Sequence, residues 1–303
     1  MQALSEMRRI LELAGRKPRH GLGQHFLIDG NLMGKLLELA ELAGGETVLE
    51  VGPGTGALTE ELAARAGRVL AVELDEDLAG LLRQRLAGEK KVTVLHGDAL
   101  AGKHELSPAV LAELKDAPAV HLVANLPYNV AVPIIVNCLL SSWCSLRPAA
   151  RAAGPAVRFD RLTVTIQKEL LERLTAEAGG AEYGPVSVIV ALLARATPGR
   201  LLPPQAFWPR PKVHSQMLRL DFLPDRAAEL IDAHSLQGLL AAVFQQRRKK
   251  ISAVARLKEL PFPAGSLLAA LEQAGIDPSL RPQQVQPGQY LSAANALAKG
   301  GTA

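Results

Sequence analysis

Four consecutive residues, Asn125, Leu126, Pro127 and Tyr128, combine side chains and backbone suited to one kind of reaction. A carboxamide oxygen beside a backbone carbonyl offers two acceptors, and that suits a poor amine nucleophile. The lone pair of an exocyclic aryl amine, such as N6 of adenine, is delocalised into its ring. Such an amine attacks an activated methyl group only if its hydrogens are held while the nitrogen becomes tetrahedral. Pro127 stiffens the turn, and Tyr128 offers a ring on which an extruded base can stack. No strong general base is called for, because the amine becomes acidic only after the new bond forms. Catalysis of this kind is alignment and electrostatic stabilisation.

A second group of residues could hold the donor of that methyl group. The run from Val48 to Gly56, with glycines at 52, 54 and 56, ends an apolar stretch and opens a helical one. Glycine there allows a tight turn and a close approach of backbone to ligand. Glu73 follows about twenty residues later, where a carboxylate can accept both hydroxyls of a ribose. Asp98 follows the next apolar run and can accept the exocyclic amine of an adenine. Nicotinamide-dinucleotide folds use the same glycine turn and the same acid, so these residues alone leave both cofactor classes open.

These groups need a scaffold, and the pattern supplies one. Short apolar runs at 47–51, 68–72, 91–95 and 119–124 alternate with helical patterns at 31–42, 58–66 and 77–86. That alternation predicts an α/β fold with a parallel sheet, the site lying at the carboxyl ends of its strands. A further helix is expected at 2–14, ahead of a basic, glycine-broken segment at 16–24. Runs 162–166, 186–194 and 213–222 read as additional strands. Residues 146–159, rich in Ala, Arg, Pro and Gly, read as a solvated insertion loop. From about residue 224 the pattern turns helical, at 235–256, 264–274 and 287–298. The expected organisation is therefore a domain at 1–223 and a small all-α domain at 224–303.

Hydrophobic residues make up 48% of the 303 positions and charged residues 21%, which predicts a packed globular chain. The formal charge of +4 fits a polyanionic partner without requiring one. Cys138 and Cys144, the two cysteines, match no zinc spacing, and no metal is expected. The longest apolar stretch, 130–140, is short for a bilayer and holds Pro133 and Asn137. With no secretory pattern at the start, a cytoplasmic protein without membrane association is expected.

The motifs together resemble the KsgA/Dim1 family of ribosomal RNA adenine N6,N6-dimethyltransferases, over residues 23 to about 290. The matching runs are Gly23-Gln-His-Phe-Leu27, Glu50-Val-Gly-Pro-Gly54, Val72-Glu-Leu-Asp75, Gly97-Asp98 and Asn125-Leu-Pro-Tyr-Asn129. They continue with Gln167-Lys-Glu169, Tyr183-Gly184, Phe207 to Ser215, Phe244 to Lys249 and Gly275 to Pro278. The resemblance implies a Rossmann-like class I methyltransferase that uses S-adenosylmethionine and releases S-adenosylhomocysteine. It implies two adjacent adenosines of the 3′-terminal hairpin of small-subunit (16S) rRNA as target, within the assembling 30S particle, and a monomer. It assigns cofactor contacts to His25, Leu27, Gly52, Gly54, Glu73, Asp98 and Asn125. Asn125, Leu126, Pro127 and Tyr128 become the target-base site, with Phe207 as a second aromatic enclosing the base.

Some positions depart from the family. His25 stands where Asn is usual, Ala124 where many relatives have Gly, and Arg210 where Pro is common. The insertion at 146–159 is longer than the family leads one to expect and carries Arg147, Arg151 and Arg158. Arg247, Arg248, Lys249 and Lys250 form a basic run for RNA phosphates, with Arg210 beside the base pocket and a second patch at Arg16, Lys17, Arg19 and His20. Three alternatives share parts of the pattern: a large-subunit rRNA methyltransferase of the Erm type, an assembly or transcription factor of the same fold, and a dehydrogenase.

Overall fold

The computed structural model describes residues 4–13, 15, 24–103, 105–147, 156–254, 261–263 and 265–300. The basic patch at 16–20 and residues 148–155 of the expected insertion lie outside the described residues. So do 255 and 256, at the end of the helix expected from 235.

Two compact units make up the chain, Met1–Leu171 with Ala196–Phe222, and Glu172–Arg195 with Leu223–Ala303. The second unit thus draws on two stretches of chain, where the sequence suggested one. The first unit opens with α1 (Leu4–Leu13), β1 (Phe26–Leu27), α2 (Gly30–Ala40), β2 (Thr47–Val51), α3 (Ala57–Ala63), β3 (Arg68–Glu73) and α4 (Glu76–Arg85). It continues through β4 (Val92–His96), β5 (Leu100–Gly102), β6 (Glu105–Leu106), α5 (Pro108–Leu114), β7 (Val120–Asn125), α6 (Ala131–Ser145) and β8 (Phe159–Gln167). The chain then runs through α7 (Lys168–Leu174) and α8 (Pro185–Leu193), and returns to the sheet as β9 (Ala194–Leu202), β10 (Phe207–Trp208) and β11 (Ser215–Phe222).

Seven strands form the main sheet in the order β4-β3-β2-β7-β8-β11-β9. The pairs β2–β3, β3–β4, β2–β7 and β7–β8 are parallel, and β11 runs antiparallel to β8. The chain leaves β2 to lay β3 and β4 on one side and comes back with β7 on the other. That reversal opens a crevice at the carboxyl ends of the strands. Residues 48–51 and 69–73 are all buried, which is why β2 and β3 read as unbroken apolar runs. Phe26 pairs with Trp208 and Leu27 with Phe207 in a separate two-residue ladder of β1 with β10. Met7 and Leu11 of α1 pack on Phe26 and Leu78.

The second unit is helical: α8, α9 (Pro224–Ala228), α10 (Ala233–Phe244), α11 (Ile251–Val254), α12 (Ser266–Gln273) and α13 (Pro287–Gly300). Phe244 lies between Tyr183 and Tyr290, with ring centroids 6.1 and 5.9 Å away.

Two expectations are corrected. Residues 186–194 read as a strand because the run is rich in Val and Ile, yet 185–193 is the helix α8. Its run is buried nearly throughout, so periodicity carries no signal. The decisive signals are at its start, where Pro185 fits the first helical turn and Ser187 Oγ accepts from Gly184 N at 3.0 Å. The helix expected to run on from 235 instead closes at Phe244, and 245–249 form turns before α11 begins. Strand β9 was not foreseen because Pro198 and Gly199 sit inside it. It occupies the sheet edge, where proline is tolerated. Among the described residues no helix is long and apolar enough to cross a membrane.

Candidate active site

The glycine turn after β2 is built by backbone conformation and by one packing contact. Gly52, Gly54 and Gly56 have φ of 72°, 58° and 85°, a region open to glycine at little cost. At Gly54 a side chain is also excluded sterically, since a Cβ there would lie 2.5 Å from Phe26 Cε1. A Cβ on Gly52 would approach Pro127 Cγ to 3.3 Å, so this glycine lets the Asn125–Tyr128 turn close against the first.

Glu73, at the end of β3, is 4% exposed. Its Oε2 accepts from Gly54 N at 2.9 Å and its Oε1 from Asp75 N at 3.0 Å. Burial pushes this carboxyl above the usual carboxylate range, while the amides of Asp75 and Gly54 hold it down. The same bonds tie the glycine turn to the next strand. Asp75 serves the scaffold: its Oδ1 caps α4 by accepting from the backbone N of Asp77 and Leu78. Asp98 is exposed, and its Oδ1 accepts from Leu100 N at 2.9 Å.

Asn125 ends β7, and its Nδ2 donates to the carbonyl of His25 at 2.8 Å. The amide nitrogen is thereby committed, which leaves Oδ1 as the acceptor for a ligand. Tyr128 is half-buried; its hydroxyl pairs with Ser215 Oγ at 2.6 Å, and burial raises its pKa, so it stays a phenol. The His25 ring stacks on the Tyr128 ring at 5.3 Å between centroids, and His25 Nδ1 lies 2.7 Å from Pro209 O.

His25, Gly52, Gly54, Glu73, Asp98, Asn125, Leu126, Pro127 and Tyr128 all line one cleft. The space between its walls, open mouth included, is about 840 Å³. Leu27 and Phe207 are not among the lining residues. Paired across β1 and β10, they are 6% and 2% exposed and lie in the core cluster with Leu36 and Met217. Arg210 is exposed and outside the cleft. In the helical unit Arg247, Arg248, Lys249 and Lys250 are exposed, and Arg247 Nη2 donates to Ala181 O at 2.8 Å.

Glu50 went unassigned in the sequence. It is 2% exposed, and its Oε2 has no hydrogen-bond partner. Burial pushes its carboxyl up to about 8, with the neighbouring Thr59 hydroxyl holding it down and the charge of Glu73 adding to the rise. A lone acid inside the apolar run of β2 was the available signal.

The model of the family described as "Ribosomal RNA adenine dimethylase" matches residues 15–299. A "Ribosomal RNA small subunit methyltransferase A" of Moorella thermoacetica is 35% identical over 285 residues, 93% of each chain. One from Phenylobacterium zucineum is 37% identical over 297 residues, 98% of this chain and 94% of its own. Among solved structures, a dimethyladenosine transferase from Plasmodium falciparum shares the fold, with a TM-score of 0.70, 23% identity, and 91% of this chain and 98% of that one covered. The 23S rRNA methyltransferase ErmE aligns with a TM-score of 0.58 and 25% identity, over 90% of this chain and 99% of that one. The fold is that of the Rossmann-like methyltransferases, and with a match across nearly its whole length the protein belongs to the ribosomal RNA adenine dimethylase family, as an rRNA adenine methyltransferase.

Proposed function

We propose that this cleft binds S-adenosylmethionine and dimethylates N6 of two adjacent adenosines in the 3′-terminal hairpin loop of small-subunit rRNA, within the assembling 30S particle. The cofactor supplies an activated sulfonium methyl, so the transfer calls for no metal. The lining fits such a ligand. Among the described residues it offers the acids Glu73 and Asp98 and no lysine or arginine. That polarity suits a cationic cofactor. Glu73 takes the ribose hydroxyls, Asp98 the adenine amine of the cofactor, and the backbone at Gly52 and Gly54 its amino-acid end.

Asn125 Oδ1 and the Leu126 carbonyl accept the hydrogens of the target amine, Pro127 fixes their spacing, and Tyr128 stacks on the extruded base. The observation that carries this assignment is the bond from Asn125 Nδ2 to His25 O, which turns the amide oxygen into the role the reaction needs. Arg248, Lys249 and Lys250 contact RNA phosphates, and so does Arg210. Arg247 divides its role with the structural bond to Ala181. The enzyme works as a cytoplasmic monomer.

The test is methyl transfer from labelled S-adenosylmethionine to undermethylated small ribosomal subunits, followed by nucleoside analysis. N6,N6-dimethyladenosine at the 3′ hairpin is expected, and Asn125→Ala should lower the rate roughly 10²–10³-fold. Label on large subunits instead would move the target to that of ErmE-like enzymes.

A further inference from the structure

Resting on the assignment of Asn125 and Tyr128 to the target base, we propose that His25 is a positioning residue for that base. Its ring backs Tyr128 and its main chain orients Asn125. Three contacts converge on this one residue. The carbonyl of Pro209 can only accept, so the 2.7 Å contact places the imidazole proton on Nδ1. That bond follows from the β1–β10 register: Phe26 sits opposite Trp208, so the ladder brings His25 beside Pro209. Fixed in this way, the ring lies against Tyr128 at 5.3 Å with planes 29° apart. Its backbone oxygen receives the Asn125 amide at 2.8 Å.

The far end of Tyr128 is held as well, by the buried Ser215. Tyr128 is therefore clamped at its hydroxyl and along one face. A base between the two rings would need about 7 Å of separation, twice the spacing of about 3.5 Å between stacked layers. The observed 5.3 Å is too short for that. The adenine accordingly takes the opposite face of Tyr128 while His25 supports the near one. Phe207, the aromatic that the family resemblance assigns to this task, is turned into the core, and His25 is the ring that stacks on Tyr128 at the cleft.

A positioning role separates from cofactor binding in kinetics. His25→Ala, His25→Phe and Tyr128→Ala would each be measured for S-adenosylmethionine affinity by calorimetry, and for kcat on undermethylated small subunits at saturating cofactor. His25→Ala should keep cofactor affinity within about twofold and lose roughly tenfold or more in kcat, the scale of a misplaced reacting group. His25→Phe, which restores a ring without the Nδ1 bond, should recover most of that loss. Should the alanine variant fail to fold, His25→Asn supplies the ring-free comparison. Loss of cofactor affinity with kcat intact would overturn the proposal, and so would a phenylalanine variant no better than alanine. If Tyr128→Ala is as active as wild type, it is the base-site assignment that fails instead.

Discussion

The two units treat buried polar atoms in contrasting ways. In the helical unit each buried tyrosine hydroxyl has a carbonyl: Tyr183 donates to Val285 O at 3.0 Å and Tyr290 to Pro282 O at 2.7 Å. Both phenols are pushed up by burial and stay neutral, so the unit keeps no uncompensated charge there. In the sheet unit the buried acids Glu50 and Glu73 sit near the cleft; Glu73 is held by backbone amides and Glu50 keeps an oxygen with no partner. A fully bonded polar group fastens a fold, whereas one with capacity left over destabilises the fold and serves a ligand or a neighbouring charge. The contrast predicts where substitution will hurt most.

The largest effect is expected at Gly54. Alanine there must adopt φ of 58° and place Cβ 2.5 Å from Phe26 Cε1. The left-handed backbone and the overlap together should cost roughly 2–5 kcal/mol, and cofactor affinity should fall more than about tenfold, since the turn itself moves. Gly288 in α13 meets nothing within 4 Å and has no positive φ. Alanine there should be neutral or stabilise by up to about 1 kcal/mol. Urea midpoints and cofactor titrations of the two variants test the contrast, and equal losses at both positions would remove it.

Glu50 comes next. The unfolded chain loses this proton near about 4.3, while the folded chain holds it to about 8. Between those values the native state binds a proton that the unfolded state does not. Stability therefore falls as pH rises through the window, by up to about 1.4 kcal/mol per pH unit, and levels off above it. Glu50→Gln should flatten that decline while leaving the contribution of Glu73, which has the same sign. Parallel stability curves for the two proteins between pH 5 and 8 would mean that Glu50 is ionised in the native state.

What the sequence disclosed divides along the same line. Strands β2 and β3 were legible to within a residue, because a buried parallel strand ends where its glycine or acid begins. The glycine turn, Glu73 and the Asn125–Tyr128 turn were legible together, since open α/β sheets gather strand ends into one crevice. The facing of Phe207 and His25 was not, because it depends on a two-residue ladder between segments about 180 positions apart. Arg247 read as a free phosphate ligand for a similar reason: its acceptor, Ala181, is 66 residues away. Helix α8 was misread because an apolar run buried on every side has no period, leaving Pro185 and Ser187 as its faint markers.

The smallest effect, and the one that isolates the helical unit, is expected from Tyr290→Phe. The ring stays in place beside Phe244, and only the hydroxyl bond to Pro282 O is lost. That carbonyl belongs to the short helical turn Pro282–Gln284, whose other end is held through Val285 O by Tyr183. Because Tyr290 is fully buried, water cannot replace the lost donor without opening the packing. Pro282 O still accepts from Val285 N at 3.3 Å, so the loss should be about 0.5–1.5 kcal/mol, the net worth of one hydrogen bond. Amide exchange should rise at residues 283–285, and cofactor affinity should be untouched, because no described residue of this unit lines the cleft. A change in cofactor affinity, or protection at 283–285 as high as in the wild type, would contradict the view that this unit's buried hydroxyls serve only to fasten it.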